Sequence, residues 1–114
     1  MKAFLSTGLL ALAALTNQAA ATYGCGTEKI TNYGVRYYVR STNPVPDIPG
    51  ICGGLWDNLN HFGVCATPSI TWCGDAGNGI LGWDFNVIGL CDGGMVESAW
   101  WEATRNQWGS ISCP

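Results

Sequence analysis

Residues 91–113 read C-D-G-G-M-V-E-S-A-W-W-E-A-T-R-N-Q-W-G-S-I-S-C, two cysteines bracketing an amphipathic segment and a short tail. Val96, Ala99, Trp100 and Ala103 recur at three-and-four spacing, which puts them on a single helix face. Asp92 stands where an N-cap belongs, and Trp108 to Cys113 reads as a closing strand. A helix with one apolar stripe needs a second layer to bury it against.

The rest of the chain offers that layer. From Ile30, I-T-N-Y-G-V-R-Y-Y-V-R alternates, with Val35, Tyr37 and Val39 on one face and Arg36, Tyr38 and Arg40 on the other, the pattern of a half-buried strand. It stops in S-T-N-P-V-P-D-I-P-G, where three prolines remove backbone donors and stiffen a surface crossover. Ile51, Leu55, Leu59 and Phe62 then fall at helical spacing, predicting a helix over 50–62 that Gly63 stops. The doublet Gly53-Gly54 weakens its first turn by about 1–2 kcal/mol of propensity. Ser69 to Cys73 and Ile80 to Ile88 read as strands joined by G-D-A-G-N-G, rich in residues that tolerate positive φ, and so as a hairpin. Within the second of them Leu81, Trp83, Phe85 and Val87 share one face, and Gly82, Asp84 and Asn86 the other.

The order is β-α-β-β-α-β. This predicts an α+β domain of the ferredoxin-like split β-α-β type, a four-stranded antiparallel sheet with two helices on one face.

Six cysteines allow fifteen pairings. With the start of the first strand taken as the bottom of the sheet, chain direction puts Cys25, Cys65, Cys91 and Cys113 at the bottom and Cys52 with Cys73 at the top. A Cys52–Cys65 bridge is excluded by the helix between them, which would hold their Cα atoms about 20 Å apart, whereas a bridge needs about 7 Å or less. The usual spatial order makes the first and last strands neighbours. The expected pairs are therefore Cys25–Cys113, Cys52–Cys73 and Cys65–Cys91.

The N-terminus has one positive charge at Lys2, an apolar run, then polar residues and Ala19-Ala20-Ala21, the layout of a secretory signal peptide over 1–21. The apolar run is well short of the roughly 20 residues of a membrane span. One disulfide-rich domain, 22–114, is left for an oxidising, extracellular compartment. Five basic against eight acidic residues give a net charge of −3, and Lys2 belongs to the leader. Nucleic acid and anionic membrane are disfavoured as partners, because phosphate binding needs clustered Lys and Arg. A soluble monomer without N-glycosylation is expected, since no N-x-S/T sequon occurs.

Chemistry-bearing motifs are absent. A zinc site fails for want of a C-x-x-C pair and with one histidine, His61. G-D-A-G-N-G lacks the regular oxygen series of a calcium loop. Asp75 belongs to a turn, Asp92 to a cap, and Asp84 faces Arg36 or Arg40. His61 has no nucleophile to activate, because every cysteine is assigned to a bridge. The chain reads as a non-enzyme without cofactor or metal.

Six tryptophans in so short a chain exceed what a thin core needs, and exposed Trp favours recognition. If Cys73 points at the first helix, alternation turns Ile70 and Trp72 to the open face of the sheet, together with Arg36, Tyr38, Arg40, Asp84, Asn86 and Trp108. This is the candidate binding surface. Trp56 and Trp101, on the flanks of their helices, come second.

The element order, the leader, the six cysteines and the C-x12-C helical segment from Cys52 to Cys65 resemble the small secreted cysteine-rich proteins of fungi. In particular they are similar to the killer-toxin-like effectors whose fold is shared with virally encoded toxins of smut fungi. The resemblance implies a secreted, non-enzymatic effector or toxin-like protein that binds a host or microbial surface target, such as a protein receptor. The alternative is an extracellular carbohydrate-binding or cell-wall-binding protein that stacks Trp72, Trp108 or Trp101 on sugars.

Overall fold

A computed structural model describes residues 23–114, so the leader expected over 1–21 lies outside the described residues. Four strands and two helices follow one another: β1 Cys25–Lys29, β2 Gly34–Arg40, α1 Ile48–Leu59, β3 Ser69–Asp75, β4 Leu81–Ile88 and α2 Gly93–Thr104. A single turn of 3-10 helix, Gly63–Cys65, joins α1 to β3. The sheet is antiparallel throughout, in the order β1-β2-β4-β3. The α+β class, the four antiparallel strands, the two helices and all three disulfides stand as the sequence predicts.

The strand order departs from the ferredoxin-like arrangement. The segment from Trp108 to Cys113 is not a strand and makes only one bridge, Tyr23 to Ser112. Its place at the sheet edge is taken by β1, which the sequence reading left unassigned. β1 is a hairpin partner of β2, and Thr31 Oγ1 accepts from Tyr33 N in the connecting turn at 3.1 Å. Closing so short a loop costs little chain entropy compared with returning the C-terminus to the same edge. The element order is therefore β-β-α-β-β-α.

Helix α1 begins two residues before the expected Gly50. Pro49 lies in its first turn, where no intrahelical donor is needed, and Asp47 caps it by accepting from Gly50 N at 3.2 Å. It ends at Leu59 with Asn60 as C-cap, so Gly63 opens the following turn instead of stopping the helix. Asp92 caps α2 as expected, accepting from Met95 N at 3.0 Å. The β3–β4 hairpin is also as read: Asp75 accepts from Gly77 N and Gly79 N, and Gly77, Asn78 and Gly79 all have positive φ.

Both helices pack on one face of the sheet. Tyr37 and Val39 of β2 and Leu81, Trp83, Phe85 and Val87 of β4 meet Leu55 and Leu59 of α1 and Val96, Ala99 and Trp100 of α2, all buried. Aromatic rings carry much of this core, with Trp83 and Phe85 centroids 4.7 Å apart and Trp56 edge-on to both.

The disulfides are Cys25–Cys113, Cys52–Cys73 and Cys65–Cys91. Cys25 lies beside Val39, near the far end of β2, and not at the bottom where chain direction had placed it. The tail reaches it by running back alongside, with Ser112 N and Tyr23 O hydrogen bonded at 2.8 Å. The Cys52–Cys73 pair follows from the direction of α1, while Cys25–Cys113 forms without the first and last strands being neighbours, through the tail that runs back beside Tyr23.

Candidate functional site

Strand alternation sorts the residues of the sheet into two faces, and the Cys52–Cys73 bridge identifies them. Because Cys73 reaches back to α1, its neighbour Trp72 points away from the helices. Register then aligns three cross-strand rows on that open face: Glu28, Arg36 and Asn86; Tyr38, Asp84 and Trp72; Arg40 and Gly82 with Gly74.

Side-chain bonds fix these rows. Arg40 holds Asp84 in a two-pronged pair, Nη1 to Oδ1 at 2.5 Å and Nη2 to Oδ2 at 3.2 Å, and Nη1 also donates to the Val39 carbonyl at 2.8 Å. Asp84 is buried, 8% exposed, so this charge depends on its arginine. Arg36 donates to Asn86 Oδ1 at 2.8 Å and to the Ile70 carbonyl at 2.9 Å, and lies over the Tyr38 ring. The Tyr38 hydroxyl donates to Glu28 Oε1 at 2.7 Å, and that bond, with the adjacent negative charge, holds the Tyr38 pKa above its usual value.

Trp72 is set down on this face instead of standing up from it. A Cβ at Gly82 would lie 2.6 Å from Trp72 Cζ3, and one at Gly74 would lie 3.1 Å from Cζ2, so the indole rests where two absent side chains leave room. Arg40 crowds the same glycine, with its guanidinium 5.8 Å from the ring centroid. Trp72 is 42% exposed. Beside it the ladder between β3 and β4 slips, and Ile70 takes φ 48° while 70% exposed. A β-branched residue in the left-handed region is strained, and edge strands use such bulges to stop further pairing.

Arg36, Tyr38, Arg40, Trp72, Asp84 and Asn86 are thus brought together, and Ile70, in the bulge where alternation is broken, joins them through its carbonyl. Trp108 is not among them: it lies in the tail after α2, partly buried against the core, with its carbonyl accepting from Thr42 N at 3.0 Å. The alternation that placed it on the open face required a strand that does not form. Trp56 is half-buried in the core, and Trp101 is exposed with the Arg105 guanidinium 4.1 Å from its ring centroid.

The sequence reading missed Glu28, because β1 was unassigned, and missed what Gly74 and Gly82 do. Trp72 and Gly74 two apart on one strand, with Gly82 across from Gly74, was the available signal. Among the described residues, no group of three His, Cys, Asp or Glu is placed to hold a metal ion, and no helix is long and apolar enough to cross a membrane. His61 is exposed in a cleft of about 390 Å³ lined also by Asn58, Phe62, Ser98 and Glu102. No family model, curated protein or solved structure matches this chain.

Proposed function

We propose that this protein is secreted and acts outside the producing cell by binding, as an effector or toxin-like protein directed at a host or microbial surface target. Three disulfides in a domain of this size fit an oxidising, extracellular setting. The observation that carries the proposal is the open sheet face. It turns Trp72 and Ile70 outward next to two arginines already held in place, and Trp, Tyr and Arg are the side chains that dominate recognition. Groups fixed before binding lose little entropy on complex formation.

Applying purified, oxidised protein to plant tissue and to fungal cultures tests this reading. The wild type and an Asp57→Ala control on the exposed side of α1 are expected to act alike, and Trp72→Ala to lose the effect. Full activity of Trp72→Ala would overturn it. So would turnover of a substrate that His61→Ala abolishes, because that result makes the protein a hydrolase.

A further inference from the structure

We infer that the ligand of the open face is a neutral glycan chain, with a sugar ring stacked on Trp72 and a hydroxyl held by Arg40, which Asp84 keeps in place; this rests on the reading of that face as the binding surface.

The posture of Trp72 argues for a flat ligand. A tryptophan that anchors a protein interface fills a pocket of its partner. Trp72 cannot be inserted in that way, because one side of its ring already rests on Gly82 and Gly74. What it offers is a plane. A pyranose ring has one face made of C–H groups, apolar and nearly flat, which covers an indole in the way a base covers an aromatic side chain.

The groups at the edge of the plane complete the match. Vicinal hydroxyls both donate and accept. Arg40 can only donate, and its side chain lies 40% exposed next to the ring, whereas that of Asp84, 11% exposed, has both oxygens bonded to it. The bonds to Asp84 keep Arg40 in position, so a sugar hydroxyl would meet a donor that needs no rearrangement. Charge on the face balances, two arginines (Arg36 and Arg40) against Glu28 and Asp84, so the face has no net field to favour a phosphorylated or strongly ionic ligand. Among the described residues Trp72 is 42% exposed, and the strand rows beside it suit an extended chain lying across the sheet.

Co-sedimentation with insoluble β-glucan, chitin and cellulose, and with wall particles from leaves and fungal hyphae, tests the inference. The wild type is expected to sediment with at least one purified polysaccharide. Trp72→Ala should weaken this by about tenfold or more, the size of one lost aromatic stacking contact. Gly82→Ala should weaken it too, because the added methyl lifts the ring; circular dichroism and disulfide mapping check that this variant folds, and Gly74→Ala replaces it if it does not. Binding to wall particles should survive protease and disappear after periodate, which cleaves vicinal diols. Binding that is lost with protease but kept after periodate, and still needs Trp72, would overturn the glycan inference and leave the binding face standing with a protein target. Absence of binding to every polysaccharide also overturns the glycan inference. If Trp72→Ala binds as well as the wild type, both readings fall.

Discussion

Arg36 reaches from β2 across Asn86 of β4 to the carbonyl of Ile70 in β3, where its Nη1 donates at 2.9 Å. One side chain therefore spans three strands and holds a bulge whose exposed, β-branched residue has φ 48°. Left-handed backbone costs a residue with a Cβ about 1–2 kcal/mol, so the bulge is kept by its surroundings and not by Ile70 itself.

Ile70→Gly is expected to raise stability by about 1 kcal/mol, because glycine has no such penalty and little apolar area is buried at this site. Urea unfolding with the disulfides intact measures it. Arg36→Ala should destabilise the wild type more than it destabilises Ile70→Gly, since the strained bulge then has nothing left to restrain. Equal costs in the two backgrounds would show that Arg36 and Ile70 are uncoupled.

Among the disulfides, Cys25–Cys113 closes the longest loop, a separation of 88 against 21 for Cys52–Cys73. Chain entropy assigns them about 4–5 and about 3 kcal/mol respectively. Double alanine variants compared in urea should follow that order, with the Cys25 and Cys113 pair costing more. The reverse order would mean that native packing around α1 outweighs loop length.

Trp83 and Trp100 are both fully buried, yet their indole N–H groups differ. Trp100 Nε1 donates to the Gly109 carbonyl at 2.9 Å, whereas Trp83 Nε1 is buried without a partner among the described residues. Replacing each with phenylalanine removes similar volume. Trp100→Phe also leaves the Gly109 carbonyl short of a donor, while Trp83→Phe removes a desolvated polar group, so Trp100→Phe should cost about 1 kcal/mol more. Thermal or urea denaturation of the two variants decides it.

Alkaline pH should unfold the protein partly through Tyr37. Burial raises its pKa above 10.0, and the negative charges of Asp92 and Glu97 add to the effect. The folded state thus favours the neutral phenol. Its contribution is fully present below the unfolded pKa of about 10 and is lost as pH rises through the higher folded value. Urea midpoints across this range should fall more steeply for the wild type than for Tyr37→Phe. Parallel curves would mean that Tyr37 ionises as freely in the folded protein as in the unfolded chain.

Much of this molecule is written locally in its sequence. Side-chain alternation along β2 and β4 depends only on the two-residue period of a strand, so both faces, including Arg36, Tyr38, Arg40, Asp84 and Asn86, could be assigned in advance. The caps at Asp92 and the turn at Asp75 are equally local, because each side chain bonds backbone a few residues away. Chain direction along α1 put Cys52 with Cys73, whereas Cys25–Cys113, and Cys65–Cys91 as its remainder, came from a pairing of first and last strands that does not form, so those two pairs are right for a different reason.

What the sequence could not give was decided by competition between distant segments. Residues 25–29 and the tail were rivals for the edge beside β2, and their own composition does not distinguish them; the short turn before Gly34 favours the nearer one. Trp108 changed its place with that outcome. Likewise, the lowered indole of Trp72 depends on Gly82 arriving from the next strand, and the bend at Ile70 on an arginine two strands away. Such features appear only when register brings the partners together, since neither residue prefers its final conformation alone.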